Sequence, residues 1–497
     1  MTASQVGRTE LSVRNPDSIF VNGAWVTASS TTVADVIDSN DESVYYQVAS
    51  AGFADMDQAV GAARTAFDDG PWPRMTHAQR AEFMRAMATE MEKRSAALAD
   101  IWPRESGALY VEATQQGATA ANILRYYADQ AATYQWEEVI PPTRGGNFGL
   151  LVREPVGVVG AIIPWNGPLM LAMYKVAPAL ISGCTLVLKA SLEAPGAAYV
   201  IAEAAEAAGL PPGVLNVLAA DRDVSEALVR DPRTDKIAFT GSTAAGRRIA
   251  ALMGEKIGRV TLELGGKSAA IILDDADLES AARSLAASEC HLAGQVCASL
   301  TRLIVTRSRH DEFVDAVTAA FGAKRVGNAF AETSDIGPLA TRAQLDRVQG
   351  YVDQGLDRGA VLATGGRRPK ELDKGYFFEP TVFGNVDNQS VIAQEEIFGP
   401  VLTVIPAKDE DEAIRFANDT IYGLNSAVFT ADVDRARHVA GQIRAGTVGH
   451  NSYRADFGIA FGGFKQSGVG REGGVEGLHA YLEAKTVVLD DIPERYR

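Results

Sequence analysis

Short apolar runs alternate with segments of helical pattern between residues 156 and 264, and this alternation constrains the fold more than any other feature. The first run, residues 156–163, contains no charged side chain. Uninterrupted apolar runs are typical of strands buried on both faces, and strand–helix–strand repeats form parallel units. The sequence therefore predicts an α/β fold with a doubly wound parallel sheet. Further strands are predicted at residues 184–188, 214–218, 236–239 and 259–264.

A second series of the same kind follows residue 266 and predicts a second α/β domain. It begins with a strand at residues 269–273 and a helix at 277–289, and a strand at 302–305 follows. Cys297 falls between that helix and that strand. The remaining elements are predicted as a helix at 311–321 and strands at 401–405, 427–429 and 446–449.

Three other segments carry local signals. Asn22-Gly23 between two short apolar runs predicts a tight β-hairpin. Residues 138–150 interrupt the chain after long helices and predict a hairpin that leaves its domain. Residues 480–489 predict a final strand, which must pair with another segment or another subunit because an exposed strand edge invites aggregation.

Composition narrows the classes of partner. The 497 residues carry a net charge of −16, which disfavours nucleic acids and anionic membranes because both are bound through basic patches. The three cysteines are Cys184, Cys290 and Cys297. An odd, small number in a long chain indicates reduced thiols, and no ligand spacing suggests a metal. With no secretory signal pattern near residue 1, we expect a soluble cytoplasmic protein.

Cys297 is the candidate nucleophile, although a lone cysteine is more often a small buried apolar residue. Gly294, Gln295 and Ser299 around it are not typical of a packed core. A helix beginning at Cys297 would lower the thiol pKa and turn its backbone N–H toward a developing oxyanion. Glu263 is the candidate base, because burial in a strand raises the pKa of a carboxyl group.

Asn166 and two glycine-rich turns complete the local signals. Asn166 follows a predicted parallel strand, where ligands usually bind, and its amide could donate to an oxyanion. Residues 241–246 follow another strand and open a helix, which suits a pyrophosphate. The Gly-x-Gly-x-x-Gly pattern at 468–473 follows no buried strand, so we do not interpret it as a nucleotide motif. The scattered histidines His291, His450 and His479 are interpreted as structural.

Taken together, these stretches resemble the aldehyde dehydrogenase superfamily, in its NAD(P)-dependent, hydrolytic branch. They occur in the family's order and span almost the whole chain. The matching stretches are Pro-Trp-Asn-Gly-Pro at 164–168, Lys189, Phe-Thr-Gly-Ser at 239–242, Leu-Glu-Leu-Gly-Gly-Lys at 262–267, Gly-Gln-Val-Cys at 294–297, Glu-Glu-Ile-Phe-Gly-Pro at 395–400 and Phe-Gly-Gly-Phe-Lys-Gln-Ser-Gly at 461–468.

The resemblance implies three domains. A Rossmann-like NAD(P)-binding domain would comprise residues 1–133 and 154–265, and a catalytic domain would comprise residues 266–465. A small β oligomerisation domain would combine residues 134–153 with 466–497. It also implies a homo-oligomer, a dimer of dimers and hence a homotetramer.

The resemblance also implies roles for single residues. Cys297 would attack an aldehyde, Asn166 would help to hold the oxyanion, and Glu263 would activate water to hydrolyse the resulting thioester, with Lys175 on a proton path. Phe398 would flank the nicotinamide. The implied residues of the cofactor site are Ile162, Pro164, Trp165, Lys189, Gly241, Ser242, Leu264, Glu396 and Phe398.

Two positions depart from the family pattern. Many NAD-preferring relatives carry glutamate where this chain has Leu192, with Glu193 beside it. The missing carboxylate leaves NADP possible, and NAD is still the expected cofactor. Many relatives place a bulky aromatic residue where this chain has Gly167, which would widen the substrate tunnel toward apolar or aromatic aldehydes. The implied substrate residues are Gly167, Met170, Tyr174, Val296 and Phe457.

Three other functions were weighed against this one. An enzyme that transfers the acyl group to coenzyme A is expected to lack the base at Glu263. A catalytically silent binding relative is expected to lose Cys297, Glu263 or Asn166. A thiol hydrolase without a cofactor predicts a Cys–His pair, and no histidine has a suitable context.

Overall fold

The protein is described by a computed structural model for residues 11–497. The strands in this range are β1 Ser18–Val21, β2 Ala24–Thr27, β3 Val33–Ile37, β4 Val44–Ala49, β5 Glu137–Val139, β6 Phe148–Pro155, β7 Val158–Ile162, β8 Thr185–Ala190, β9 Leu215–Ala219, β10 Lys236–Thr240, β11 Arg259–Glu263, β12 Ala269–Ile272, β13 Arg302–Thr306, β14 Val361–Thr364, β15 Thr381–Gly384, β16 Val401–Ala407, β17 Asn425–Phe429, β18 Thr447–His450, β19 Gly468–Val469 and β20 Leu482–Leu489.

The α-helices lie between and around these strands. They are α1 Phe53–Asp68, α2 His77–Lys93, α3 Ser95–Ser106, α4 Tyr110–Ala113, α5 Gln116–Thr133, α6 Pro168–Ser182, α7 Gly196–Ala207, α8 Arg222–Arg230, α9 Thr243–Glu255, α10 Leu278–Cys290, α11 His310–Gly322, α12 Arg342–Asp357, α13 Val391–Gln394, α14 Glu410–Asn418, α15 Val433–Ala440 and α16 Gly474–His479.

The larger sheet has eight strands in the order β19-β11-β10-β7-β8-β9-β1-β2. Strands β7 to β11 are parallel, and the sequence order reverses at β7. The predicted doubly wound parallel sheet is confirmed. Such a reversal opens a crevice at the carboxyl ends of the strands, where ligands bind in folds of this class. Both Asn166, after β7, and Gly241, after β10, lie at this edge.

The second sheet has seven strands in the order β14-β15-β16-β13-β12-β17-β18. Its strands are parallel except for β14, which pairs antiparallel with β15. The prediction of a second α/β unit is confirmed, but β14, β15 and α12 were missed. Strand β14 is half-exposed at an edge, and α12 carries mostly polar residues, so neither shows a continuous apolar run.

The predicted hairpin and the predicted final strand are both present. Asn22 and Gly23 have φ values of 55° and 75°, the left-handed pair that a two-residue hairpin needs. Strand β20 pairs along its whole length with β6, and β5 flanks the other side of β6. The final strand therefore finds a partner within the chain, because the excursion after α5 returns as β6.

Part of the segment that the predicted domain division assigns to oligomerisation lies in the larger sheet. Of residues 466–497, β19 lies in the eight-stranded sheet, where it pairs with β11 beside Glu263. The division into domains stays a prediction. Over residues 11–497, every helix is too short or too polar to cross a membrane.

Candidate active site

Cys297 lies in a turn between α10 and β13, after a short 3₁₀ segment, His291–Gly294. As predicted, Cys297 lies between a helix and a strand, and no helix begins at it, so a helix N-terminus does not act on its thiol. Leu292, Ala293 and Gly294 have φ values of 50°, 51° and 73°. Left-handed backbone costs roughly 1–2 kcal/mol for a residue with a Cβ, so the surrounding protein must hold this turn in place.

The surroundings of Cys297 favour the thiol over the thiolate. Burial raises its pKa well above the ordinary value, and the carboxyl groups of Glu396 and Glu263 raise it further. The backbone N–H groups of Ala298 and of Cys297 itself oppose this shift. Because the net shift of the thiol pKa is upward, the sulfur needs a base or a nearby cation before it can act as a nucleophile.

Glu263 ends β11 with its side chain 1% exposed, and neither carboxyl oxygen has a hydrogen-bond partner in the described part of the chain. Burial raises its pKa well above the usual range, Glu472 adds to the shift, and Lys175 and Arg471 oppose it. A buried carboxyl group without partners is costly. The cost indicates a group that meets a ligand or water during function.

Lys175 does not bond to Glu263 but forms a buried ion pair with Glu472. Its Nζ lies 2.7 Å from Glu472 Oε1 and donates to Thr240 Oγ1 at 2.6 Å, and both charged side chains are fully buried. The sequence analysis missed Glu472, which lies inside the Gly-x-Gly-x-x-Gly pattern. There the glycines permit close packing, since a Cβ at Gly468 would stand 2.1 Å from Leu262 O.

Asn166 meets the nucleophile turn directly. Its Nδ2 donates to the backbone oxygen of Gln295 at 2.9 Å, which leaves a second N–H on the same nitrogen. The backbone oxygen of Asn166 accepts from Trp102 Nε1 at 2.8 Å. Ser106, on the same helix α3, donates to Trp165 O at 2.7 Å. The end of α3 therefore holds the Trp165-Asn166 turn, and nothing in the sequence marked Trp102 for this role.

A second buried carboxyl group supports the far end of the turn. Ser299 Oγ donates to Glu289 Oε2 at 2.5 Å. Burial raises the pKa of Glu289 to about 7, while the bond from Ser299 and the charge of Lys267 lower it. This contact fixes the turn two residues after Cys297, and sequence reasoning missed it because Glu289 looks like an ordinary helix residue.

The predicted cofactor residues converge at the carboxyl edge of the large sheet. Lys189 lies near the end of β8, where burial lowers its pKa to about 8 and the carboxylates of Glu193 and Asp221 oppose the shift. Ser242 caps α9, accepting from Ala245 N at 3.3 Å. The lysine ammonium and the helix N-terminus together suit a ribose and a pyrophosphate.

The other predicted cofactor residues flank this edge. Ile162 ends β7 and Pro164 begins the turn after it. Gly241 follows β10, and Leu264 follows β11, where its side chain leaves no room for a Cβ on Gly246 of α9. The edge is therefore lined by backbone and apolar side chains as well as by the polar groups.

Glu396 and Phe398 approach from a loop of the second sheet. Glu396 Oε1 accepts from Gly266 N at 3.1 Å, and the ring of Phe398 meets Trp165 edge-on at 5.5 Å. Phe398 has a φ of 67°, unusual for a residue with a Cβ. Gln344 of α12 holds this strained segment by donating to Phe398 O at 2.6 Å. Helix α12 thus contributes to the site, although the sequence did not predict it.

The predicted substrate residues differ in exposure and surroundings, and their role in an approach to Cys297 stays a prediction. A Cβ at Gly167 would meet only Leu171, at 3.8 Å, so glycine leaves space here. Tyr174 is buried and Met170 is exposed. The sequence missed Tyr453, whose pKa is raised by burial and by the nearby Cys297 and Tyr174.

The two other predicted substrate residues, Phe457 and Val296, pack against aromatic side chains of α3 and α5. Phe457 contacts Tyr126 edge-on at 5.7 Å. Val296 packs against the buried cluster that contains Trp102 and Leu292. Trp102 and Tyr126 lie on α3 and α5, far from the motifs in sequence, so only the fold could bring them to the site.

Comparisons of this chain with known proteins identify its family. The sequence model of the aldehyde dehydrogenase family matches residues 25–487. The chain is similar to geranial dehydrogenase of Castellaniella defragrans, with 45% identity over 95% of this chain and 98% of that protein. It is also similar to the crystal structure of Mycobacterium tuberculosis aldehyde dehydrogenase with NAD+, with 43% identity, a TM-score of 0.92 and coverage of 95% and 98%.

A third similar protein is bound to an aldehyde. It is a mutant of aldehyde dehydrogenase C from Pseudomonas syringae in complex with NAD+ and octanal. The identity is 38%, the TM-score is 0.92, and the match covers 97% of this chain and 98% of that one.

Proposed function

Because the chain belongs to the aldehyde dehydrogenase family, we propose that Cys297, Glu263 and Asn166 carry its NAD-dependent oxidation of aldehydes to carboxylic acids. The observation that carries the assignment is their convergence. Asn166 Nδ2 is bonded to the nucleophile turn at 2.9 Å, and Glu263 is close enough to Cys297 to raise the thiol pKa. An aldehyde carbon must become tetrahedral before it can release hydride, and a thiolate achieves this.

The proposed sequence of steps uses the chain's own groups. Glu263 accepts the proton of the Cys297 thiol, and the sulfur attacks the aldehyde carbon. The free N–H of Asn166 and the backbone N–H of Cys297 stabilise the oxyanion, which is typically worth 10²–10³ in rate for one such donor. Bound NAD+ supplies the hydride acceptor. Glu263 then removes a proton from the water that hydrolyses the thioester.

Lys175 and Glu472 are proposed as the route by which protons leave Glu263. They form a closed ion pair with a Nζ–Oε1 distance of 2.7 Å, and Glu472 and Lys175 shift the Glu263 pKa in opposite directions. A change in the charge of either partner therefore alters the basicity of Glu263. This makes the pair a control on the protonation of the base.

NAD is proposed as the preferred dinucleotide over NADP. The residues that would hold it are Lys189 and Glu396 for the two riboses, Ser242 and the start of α9 for the pyrophosphate, and Trp165 and Phe398 beside the nicotinamide. Glu193 and Asp221 contribute negative charge close to Lys189. Negative charge there disfavours a 2′-phosphate, although Leu192 replaces the glutamate of many relatives.

An apolar aldehyde is the proposed substrate. The approach to Cys297 is lined by apolar and aromatic groups, and Gly167 leaves open space at its side. One similar protein is named geranial dehydrogenase, and another is bound to octanal. Both of these aldehydes are long and apolar. Apolar lining of this kind favours such a chain over a charged aldehyde, although burial raises the pKa of Tyr174 and the carboxylate of Asp456 lies close enough to raise it further.

A homo-oligomer, a dimer of dimers, is proposed through the small sheet of β5, β6 and β20. Within residues 11–497, β20 is paired on one side only, and Val139 and Val488 on the outer strands are 52% and 50% exposed. An unpaired strand edge with exposed apolar residues is a natural surface for a second copy. Light scattering after gel filtration would measure the mass, and a monomer would contradict the proposal.

The cytoplasm is the proposed location. Cys184, Cys290 and Cys297 are all free thiols. Free thiols, one of them a nucleophile, are retained in a reducing compartment. Fractionation of the source cells would test this, and recovery of the enzyme outside the cytoplasm would contradict it.

Cys297→Ala is the variant that tests the proposed function. It removes the sulfur and leaves the residues of the cofactor edge unchanged. We expect NADH formation with octanal to be abolished while NAD+ binding, measured by fluorescence titration, is retained. Cys290→Ala is the matched control, since Cys290 lies seven residues earlier and its Sγ donates to Ala286 O. Turnover by Cys297→Ala would remove the assignment.

A further inference from the structure

We infer that Gln295 is a positioning residue that holds the nucleophile turn and the Asn166 amide in a fixed relation to each other. The inference rests on the proposed function, because it assigns Gln295 a part in the same site. Gln295 is fully buried between Gly294 and the residues that carry the chemistry. A buried amide of this kind is retained only if its polar atoms are satisfied.

The turn that Gln295 follows is one that the chain would not adopt unaided. Leu292, Ala293 and Gly294 are consecutive left-handed residues, and two of them carry a Cβ. Strained backbone persists only where surrounding contacts over-determine it, and such strain is concentrated at active sites. The required contacts must therefore come from nearby side chains.

The side chain of Gln295 supplies these contacts with every polar group it has. Its Nε2 donates to Leu292 O at 2.9 Å and to Ser106 O at 3.4 Å. Its Oε1 accepts from Ala340 N at 2.9 Å. One bond closes the left-handed turn, and the other two tie it to α3 and to the loop before α12.

The main chain of Gln295 extends the same network to the oxyanion donor. Its backbone oxygen accepts from Asn166 Nδ2 at 2.9 Å, and this bond fixes the direction of the remaining Asn166 N–H. Trp102, also on α3, holds the backbone of Asn166 at 2.8 Å. Hydrogen bonds thus join Gln295, Asn166 and α3 into one network, which sets the distance between the Cys297 sulfur and the Asn166 amide nitrogen.

Loss of the Gln295 side chain should therefore affect the chemical step and spare the cofactor. The residues proposed to hold NAD+ lie on β8, on α9, in the loop of Glu396 and, for Trp165, in the turn after β7, and the Gln295 side chain bonds to none of them directly. Misplacement of reacting groups by about 1 Å costs roughly 100-fold in rate. We expect a loss of about 10- to 100-fold in the rate of hydride transfer, with the NAD+ dissociation constant unchanged.

The experiment compares Gln295→Met with Asn216→Leu. Asn216, in β9, is an equally buried amide that donates to Leu186 O and Gly213 O and accepts from Asn22 N. Its replacement by leucine therefore removes the same kinds of hydrogen bond away from the site. Single-turnover NADH formation, NAD+ binding and thermal unfolding are measured for both. The expected result is a slower hydride step in Gln295→Met alone. If Gln295→Met does not fold, Gln295→Glu keeps the shape and loses donors.

A double-mutant cycle separates positioning from general destabilisation. If Gln295 acts through the Asn166 amide, Asn166→Ala should cost much less in the Gln295→Met background than in the wild-type enzyme. Additive effects, or a wild-type hydride rate in Gln295→Met, would overturn this inference alone. Failure of the wild-type enzyme to form NADH would overturn the proposed function.

Discussion

Replacement of Glu263 by glutamine is the perturbation that the site's geometry makes most informative. The side chain is 1% exposed with both oxygens unpartnered, so the amide occupies the same space and breaks no hydrogen bond. Removal of a general base typically costs 10²–10⁴ in rate, which corresponds to about 2.7–5.4 kcal/mol of activation free energy. We expect this loss in thioester hydrolysis and a smaller loss in hydride transfer.

Rapid-quench kinetics with octanal can measure the two steps separately. Glu263→Gln should release a burst of NADH close to one per active site and then stall, with the acyl group on Cys297 detected by intact mass. In the wild-type enzyme, hydrolysis should accelerate as the pH rises through the raised pKa of Glu263, because only the ionised carboxylate accepts a proton. Glu263→Gln should lose that dependence.

The control for this prediction is Glu203→Gln. Glu203 is also a buried carboxyl group whose pKa is raised by burial, but it lies on α7 next to Arg94. The Glu203→Gln variant should hydrolyse its acyl-enzyme at the wild-type rate. The reasoning is refuted if Glu263→Gln turns over slowly without any acyl-enzyme, or if its hydrolysis keeps the wild-type pH dependence.

Three further predictions test other parts of the site. Glu472→Gln leaves the buried Lys175 charge without its partner and should lower the free energy of unfolding by about 3–5 kcal/mol. Urea unfolding should show this loss and a partial recovery when Lys175→Met is added, whereas wild-type stability of the single variant would contradict the prediction. Gly167→Phe fills the space near Leu171 and should raise the KM for octanal about tenfold or more while sparing propanal; equal changes for both aldehydes would show that Gly167 does not border the tunnel. Glu193→Ala removes negative charge near Lys189 and should raise kcat/KM with NADP+ about fivefold, equivalent to about 1 kcal/mol. An unchanged ratio of kcat/KM with NADP+ to kcat/KM with NAD+ would show that this carboxylate does not select the cofactor.

The sequence was sufficient where a local pattern has one structural meaning. Apolar runs that alternate with helices predicted the parallel strands from β7 to β13, and the residues that follow strand ends, such as Asn166 and Gly241, could be placed at one edge. It was insufficient where a side chain acts over long sequence separation. Glu472 reaches Lys175 across 297 positions, and Trp102 reaches Asn166 across 64. Nothing near either residue in sequence signals burial against the site.

The same limit applies to the nucleophile turn. The segment around Cys297 was recognised as atypical of a core, but its left-handed conformation and its ties through Gln295 depend on α3 and on Ala340. Helix α12, which holds Phe398 through Gln344, carries Leu345, Val348 and Val352 at helical spacing, but nothing in that pattern places it beside Phe398. These features follow from which elements lie next to one another, and the topology decides that after the local patterns are set.

The position of Glu472 near the end of the chain has a consequence for synthesis on the ribosome. Cys297 and Glu263 leave the exit tunnel well before Glu472 and before β20 can pair with β6. At about 5–20 residues per second, the delay is on the order of ten seconds or more. A nascent or prematurely terminated chain therefore holds the nucleophile and the base without the ion pair that controls them. Dehydrogenase activity should appear only after Glu472 and β20 are translated, so chains that stop before them would not consume NAD+.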